Sequence, residues 1–330
     1  MYIDPNRNVG ALDPYLREEH IGIGCALENL ILAAAPNGYA STATLISGKL
    51  TPNAADGKPR LVARVDLVRR KPEASELYEA IPRRHTNRCA YNQQMAIPVP
   101  FLESLGSLPV EEATAKVFLF TAEPQRNKIA EISSAANSEL YSDPQVQDGS
   151  DQWIRTDWSS VQKYRDGLTI DAFGLPPMAA AVAKTMSLSM LKRVASQEAR
   201  DGYTRLMLSA PLIGILAVRD RYDQHDCLHA GRIWQRALLL ATARGLAGRP
   251  CNEAIEMIDH ERSLGRPATR AGLLAEVLGT TEQPMLLFYM GYPTLTARAS
   301  PRRPVDRVFA MSVRHQLNDT LDARRPLASC

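Results

Sequence analysis

The sequence predicts an α+β protein built from two related units. Three observations lead to this prediction: helical patterns alternate with short β-rich segments, several of those segments are strongly apolar, and two long helical segments align with each other without a gap. We therefore expect two units that share a core of helices, and we expect each unit to contain a mixed sheet.

Composition and charge exclude several classes of protein. The chain has 330 residues, of which 45% are hydrophobic and 23% charged, as is usual for a globular protein. A net charge of +3 is too small to indicate a nucleic-acid partner, and the five scattered cysteines indicate neither a disulfide framework nor a zinc site. Without an apolar secretory region or a long apolar run, we expect a cytoplasmic protein that does not associate with a membrane.

The first unit begins with a helix. Asp13-Pro14 is a turn and cap signal, and the acidic pair Glu18-Glu19 suits the first turn of a helix. Apolar residues at helical spacing predict a helix over residues 16–35, which ends at Pro36-Asn37-Gly38. The β-branched run Arg60–Val68 then predicts a strand.

The second unit contains the remaining predicted elements. They are a short helix over 72–80, a helix over 98–108, a strand over 115–122, a helix over 125–141, a loop over 142–152, an irregular stretch over 153–190, a helix to about residue 200, a buried strand over 210–218, a helix over 229–244 and a strand over 285–290. The irregular stretch contains Trp153 and Trp158, and it is expected to be either a lid over a site or a surface excursion.

The two long helices indicate an internal repeat. Setting Gly245 on Gly38 aligns the helices and places Gly231 on Gly24. Chance can produce a helical pattern, but glycines at both ends with the same separation favour a repeat. The expected organisation is a first, incomplete unit over 1–70, a second unit over 71–310 with a lid insertion at about 150–190, and a tail over 311–330.

A cluster of hydrogen-bond donors occupies the run from Pro82 to Arg88. Its three guanidinium groups, one imidazole and one hydroxyl lie within seven residues. Arginine offers a rigid fork that matches phosphate oxygens, so this run is a candidate phosphate site. The alternative is a solvated basic turn before a helix.

Other kinds of site find less support. The sequence has no Gly-x-Ser-x-Gly elbow and no glycine-rich phosphate loop, so no catalytic nucleophile is predicted. His225, Cys227 and His229 with Asp226 could bind a metal, but they stand at the start of a predicted helix. We therefore interpret Asp226 as its N-cap and the histidines as ordinary polar residues.

Several motifs resemble those of the nitroreductase superfamily. The spacing Arg84-x-Thr86-x-Arg88 is similar to its Arg-x-Ser-x-Arg/Lys signature, and the segment from Gly245 to Glu253 is similar to its Gly-Leu…Pro-x-Glu/Asn segment. The two-unit organisation, the run from Leu12 to Glu18 and the Arg-Arg-Pro-Val-Asp-Arg run beginning at Arg302 most resemble the Acg-type branch. In that branch one polypeptide carries two nitroreductase-like halves.

The resemblance implies an FMN-binding flavoprotein with one FMN between the halves of a pseudo-dimer. It implies NAD(P)H-dependent reduction of a nitro, quinone or similar acceptor, with no general acid or base, in a monomeric pseudo-dimer or a homo-oligomer. The alternatives are a store that sequesters FMN under a lid and a scaffold without cofactor. By resemblance Arg84, Thr86 and Arg88 hold the phosphate and ribityl chain with Arg302 or Arg303, and His85 helps to position the pyrimidine side of the ring or the phosphate. The flavin ring is expected to face Pro250, Asn252 and Glu253.

One departure from the family concerns the first half. The superfamily has a Pro-Ser-x-x-Asn-x-Gln-Pro-Trp stretch whose serine and asparagine contact the flavin from the opposite half, and this sequence does not contain it. The stretch would lie before Met1. We therefore expect a shortened first half, or a site that is built without that wall.

Overall fold

A computed structural model describes residues 1–52, 57–108, 115–175, 177–195 and 198–308, so the expected tail over 311–330 lies outside the described residues. The helices are α1 (Arg17–Ala34), α2 (Glu76–Ala80), α3 (Val99–Gly106), α4 (Glu123–Leu140), α5 (Pro144–Asp151), α6 (Trp158–Tyr164), α7 (Pro177–Ala183), α8 (Leu188–Ala195), α9 (Glu198–Ser209), α10 (Gln224–Ala243), α11 (Glu253–Ser263) and α12 (Thr269–Leu278). The strands are β1 (Tyr2–Ile3), β2 (Tyr39–Leu45), β3 (Arg60–Leu61), β4 (Ala63–Arg69), β5 (Ala115–Phe120), β6 (Ile154–Arg155), β7 (Leu168–Thr169), β8 (Leu212–Val218), β9 (Ala247–Pro250) and β10 (Gln283–Gly291). Within these residues, no helix combines the length and the apolar character needed to span a membrane.

The main sheet has the strand order β5-β8-β10-β9. All three of its pairings are antiparallel, so the expectation of a mixed sheet in this unit was wrong. An isolated parallel bridge joins Thr86 to Gly248 at its β9 edge. Strands β2 and β4 form a separate antiparallel ribbon. The α+β class is confirmed.

Strand β8 lies at the centre of the core. Its alternating side chains separate two apolar clusters: Ile213 and Ile215 face α4, α9, α11 and α12, whereas Leu212 and Leu216 face α3 and α10. Every residue of β8 is buried, as expected for a strand covered by helices on both sides. The buried strand predicted from its apolar run is therefore confirmed.

Helix α10 begins earlier than the sequence pattern predicted. Its N-cap is Asp223, whose side chain accepts hydrogen bonds from the backbone N–H groups of His225 and Asp226. The assignment of Asp226 as the cap, with a helix start near His229, was therefore wrong. An aspartate at the N-cap accepts hydrogen bonds from the free N–H groups of the first turn. Two aspartates three residues apart are therefore two possible N-caps, and the sequence pattern alone does not choose between them.

Two further elements of the structure were not predicted from the sequence. Residues 144–151 form α5 rather than the expected loop, because Asp143 caps the N–H of Gln145 and Pro144 occupies the first helical position. Strand β2 (Tyr39–Leu45), for which no element was predicted, pairs along its whole length with β4. Its side chains are half-buried and exposed in strict alternation, the pattern of a strand with one solvated face.

Helices α1 and α10 pack against each other through the two glycines that the sequence alignment pairs. A Cβ on Gly24 would lie 2.2 Å from the carbonyl oxygen of Leu228, and a Cβ on Gly231 would lie 2.0 Å from that of Ile21. Leu228 is the residue that the gapless alignment sets on Ile21. Each helix therefore meets its partner through the same pair of positions.

Polar contacts repeat this reciprocity. Arg236 forms an ion pair with Glu28, and the side-chain amide of Gln235 donates to Asn29 at 2.8 Å. In the alignment Gln235 corresponds to Glu28 and Arg236 to Asn29. Each helix thus uses both positions of the pair, and each position contacts the other one on the opposite helix. A two-fold relation between two helices produces reciprocal contacts of this kind.

The glycine crossing leads to a first prediction. Replacing Gly24 by alanine should lower the free energy of unfolding by about 1–3 kcal/mol, because a backbone carbonyl and not a flexible side chain occupies the Cβ position. Gly22 lies in the same helix with no atom within 4 Å of its Cβ position, so Gly22→Ala is a matched control. We expect that control to stabilise by about 0.5–1 kcal/mol. Urea denaturation of both variants tests this, and a Gly24→Ala protein as stable as the control would contradict it.

A buried charge cluster joins α1 to α11 and β10. Asp259 on α11 accepts hydrogen bonds from Arg17 at 2.7 Å, from Arg221 at 2.9 Å and from the Tyr222 hydroxyl at 2.7 Å. Arg17 also donates to the carbonyl of Met285 in β10 at 2.6 Å. Burial alone would raise the pKa of Asp259, but the two guanidinium groups outweigh it and hold that pKa below its usual value.

Candidate functional site

A cavity of about 380 Å³ lies beside the run 84–88. Three parts of the chain line it: that run, the end of α5 with strand β7, and the segment after β10. The lining residues are Arg84, His85, Thr86, Arg88, Trp153, Gly167, Leu168, Arg298, Ser300 and Arg302. This volume lies within the range of small-molecule and cofactor sites in proteins.

The run 84–88 is held by its backbone and by one buried asparagine. The Arg84 N–H donates to the carbonyl of Ala80 at 3.0 Å, which continues the turn that follows α2. Asn87 is fully buried; its backbone N–H donates to Gly248 in β9 at 3.1 Å, and its side chain bonds the backbone of Cys89 in both directions. The side chains on either side of Asn87 are therefore presented from a fixed loop.

Positive charge accumulates in this cavity. Burial, and then the neighbouring Arg302, lowers the pKa of Arg84, whereas burial followed by Arg84 and Arg302 lowers that of His85. Burial and then Arg249 lower the pKa of Arg88 to about 10. Within the described ranges, the structure shows no ion pair for Arg84, Arg88 or Arg302. Cations that repel one another without a carboxylate favour an anionic ligand.

The two arginines of the Arg83-Arg84 pair differ in position. Arg84 is half-buried and lines the cavity, whereas Arg83 is exposed and donates to the carbonyl of Glu79 at 3.3 Å. Arg302 and Arg303 are both exposed, but Arg302 lines the cavity and Arg303 is not part of its lining. The structure thus distinguishes between Arg302 and Arg303, which the sequence left as alternatives.

The predicted ring-facing residues are not part of the cavity lining. Pro250 lies in β9 opposite Phe288. The side chain of Asn252 donates to Glu18 at 2.7 Å and accepts from the N–H of Leu287 at 2.9 Å, and Glu253 accepts from the Tyr203 hydroxyl at 2.7 Å. The side chains of Asn252 and Glu253 are therefore engaged in contacts within the protein, and the expectation that Pro250, Asn252 and Glu253 face the flavin ring stays a prediction.

Sequence reasoning missed part of the lining. The sequence did not single out four of the lining residues as site residues: Gly167, Leu168, Arg298 and Ser300. Of these, Arg298 lies close to Arg302 in the same basic segment, which was a signal that could have indicated it. Trp153 was expected in a lid and does line the cavity. The exposed fraction of Trp158 is 76%, and this residue is not part of the lining.

The histidine-rich start of α10 already contains a cation. Ligand atoms of Asp223, His225 and Asp226 lie within 4.8 Å of one another. However, the Lys49 ammonium lies 3.0 Å from Asp223 and 2.5 Å from Asp220, so one of the two candidate carboxylate ligands, Asp223, already pairs with a cation. This geometry favours the helix-start interpretation over a metal site.

No protein-family model and no curated protein matches the chain. Among solved structures, it is similar to the FMN-dependent nitroreductase from Mycobacterium smegmatis in complex with NADPH, at 16% identity and a TM-score of 0.44, over 71% of this chain and 99% of that one. It is also similar to an FMN- and NADPH-dependent nitroreductase from a Sphingopyxis strain, at 15% identity and a TM-score of 0.46, over 71% and 97%.

A nitroreductase with bound FMN from Desulfitobacterium hafniense is a third such structure, at 14% identity and a TM-score of 0.43, over 72% of this chain and 98% of that one. These structures are of the type that the Arg-x-Thr-x-Arg spacing resembles.

Proposed function

We propose that this protein is a nitroreductase-like flavoprotein that binds FMN in the cavity beside the run 84–88. The observation that carries the proposal is the convergence of Arg84, Arg88 and Arg302 on a cofactor-sized cavity without carboxylate partners. A phosphate monoester supplies the missing negative charge, and arginine forks match its oxygens. The residues present therefore fit the cofactor that the motif resemblance implies.

Each side chain has a role in this proposal. Arg84 and Arg302 bind the phosphate, and the positive charge of Arg302 contributes to lowering the pKa of Arg84. The Thr86 hydroxyl contacts the ribityl chain. His85, whose pKa is lowered by burial and the two arginines, is neutral at pH 7 and serves as a hydrogen-bonding group. When bound, FMN supplies hydride transfer between NAD(P)H and a nitro, quinone or similar acceptor.

We also propose that α1 and α10 are equivalent helices of a pseudo-dimer. Besides their reciprocal contacts, each is followed by a glycine of positive φ, Gly38 at 81° and Gly245 at 74°, and then by a strand. If the two helices are related by a two-fold axis, Gly231→Ala should destabilise the protein by the same amount as Gly24→Ala. A difference of more than about 1 kcal/mol would argue against the equivalence, because both changes meet a backbone carbonyl.

The visible absorption spectrum of the purified protein, reconstituted with FMN and passed through gel filtration, tests the function. Retention of a flavin band supports the proposal, and its absence favours a scaffold without cofactor. Bleaching of the retained band by NADPH or NADH under anaerobic conditions, with recovery on addition of a quinone, indicates an oxidoreductase.

A second candidate function is storage of FMN. The observation that favours it is that the expected lid segment contributes Trp153, Gly167 and Leu168 to the cavity, so part of the site is walled by an insertion and not by the core. In that case the flavin band is retained but NAD(P)H does not bleach it, whereas a small chemical reductant such as dithionite does.

A further inference from the structure

The wall of the cavity is a short parallel pair of strands. β6 and β7 pair through Ile154 with Leu168 and through Arg155 with Thr169, and the Leu168 N–H donates to the Trp153 carbonyl at 2.8 Å. Gly167 has a φ of 76°, and a Cβ there would lie 2.2 Å from the same carbonyl oxygen. Only glycine fits this position, so Trp153, Gly167 and Leu168 form one compact unit.

The N-terminal segment, residues 7–9, contacts this unit. The indole N–H of Trp153 donates to the carbonyl of Asn8 at 2.9 Å, and the Arg7 guanidinium lies 4.9 Å from the centroid of the same ring. A Cβ on Gly149 would lie 2.1 Å from the carbonyl oxygen of Val9, so the backbones of the two segments touch. The position of Trp153 therefore depends on residues far away in sequence.

One carboxylate joins the two parts. Asp166 accepts a hydrogen bond from Arg7 at 2.6 Å on one oxygen and from Arg155 at 2.6 Å on the other. Its side chain is 14% exposed. Partial burial would raise the pKa of Asp166, but the two hydrogen bonds outweigh it and lower that pKa, so the carboxylate is charged at neutral pH.

We infer that Asp166 is a positioning residue, a latch that fixes the Trp153 wall to the N-terminal segment and thereby slows release of the ligand from the cavity. The inference rests on the proposed function for the identity of the ligand, FMN, and on the contacts above for the latch. A site whose wall is held in its bound arrangement loses less conformational entropy on binding, and holding the wall mainly slows dissociation.

The test uses the full chain with Asp166→Asn, and Asp157→Asn as the matched control. Asp157 is exposed, lies on the same segment and caps α6 through the Ser160 N–H, a role that asparagine also performs. Both variants remove one negative charge near a cationic cavity, which by electrostatics alone would strengthen binding of an anion. Faster release from Asp166→Asn would therefore run against the charge effect and identify the latch.

Two measurements separate the latch from the proposed function. The first is the rate at which bound FMN leaves after dilution, which we expect to rise about tenfold in Asp166→Asn and not to rise in Asp157→Asn. The second needs no ligand. In a Trp158→Phe background only Trp153 and the buried Trp234 remain to fluoresce, and quenching by acrylamide should increase in Asp166→Asn.

Each outcome decides one of the two questions. Increased quenching without any FMN binding supports the latch and overturns the proposed function. FMN binding with unchanged quenching and release overturns the latch and leaves the proposed function standing. If Asp166→Asn does not fold, Arg7→Gln removes one arm of the latch while Arg155 keeps Asp166 paired. A smaller increase in both readouts supports the inference, and no increase overturns it.

Discussion

Replacing Arg84 by alanine should weaken FMN binding about tenfold or more, whereas replacing Arg83 by alanine should leave it nearly unchanged. Arg84 lines the cavity and has no ion-pair partner within the described ranges, so its charge is available to the phosphate. A hydrogen bond to a charged group is worth about 1.5–3 kcal/mol, which corresponds to roughly ten- to 150-fold in the dissociation constant.

The adjacent arginine makes this comparison sharp. Arg83→Ala removes the same charge one residue away, but Arg83 is exposed and points its Nε to the Glu79 carbonyl. Titration of both variants with FMN, followed by quenching of flavin fluorescence, measures the two constants, and urea denaturation checks that both remain folded. Equal dissociation constants for the two variants would contradict the assignment of Arg84 to the phosphate.

Replacing Asp259 by asparagine should lower the free energy of unfolding by about 3–5 kcal/mol. Asp259 is fully buried and neutralises Arg17 and Arg221, whose side chains are 0% and 1% exposed. Asparagine keeps the size of the side chain but leaves buried Arg221 without a counter-charge and leaves Arg17 with only the partly exposed Glu18, which lies 3.0 Å away. Since the total stability of a domain is about 5–15 kcal/mol, this single change should shift the urea midpoint strongly.

The control for this variant is Asp66→Asn, which removes an exposed carboxylate from β4 and should change stability by less than about 0.5 kcal/mol. Asp259→Asn as stable as Asp66→Asn would show that the cluster contributes nothing. The cluster also has a pH signature. Because the pKa of Asp259 is lower in the folded state than in the unfolded state, its contribution is complete above pH about 4 and is lost as the pH falls through the folded value.

Asp13 provides the opposite dependence in the same region. Burial, and then the charge of Glu18, raises the pKa of Asp13 to about 7. Between pH about 4 and pH 7 the folded protein therefore holds a proton that the unfolded chain has released, and the stability due to Asp13 falls as the pH rises through this window. Asp13→Asn, which keeps hydrogen-bond acceptance at the start of α1, should flatten the fall in stability between pH 5 and pH 7. An unchanged slope would show that Asp13 is ionised in the folded protein.

The sequence by itself determined the elements whose signals are local. The helix at residues 17–34, the buried strand at residues 212–218 and the donor-rich run 84–88 were all predicted, because helical spacing, an uninterrupted apolar run and a short motif each involve neighbours along the chain. The alignment of the two long helices also came from the sequence alone. The small residues of the first helix predicted that another backbone could approach closely, and the structure shows that α10 makes this approach, at Gly24 and Gly231.

Only the tertiary structure decided which side chains meet at the cavity. Trp153, Leu168 and Arg298 reach the run 84–88 through contacts between segments far apart in sequence, and no local pattern specifies such contacts. The contacts of Asn252 were also decided by the tertiary structure, because its side-chain amide donates to Glu18 on α1 and accepts from the Leu287 N–H in β10. Residue type tells what a side chain can bind, but when several partners are chemically equivalent, the folded backbone chooses the one that lies within hydrogen-bond distance.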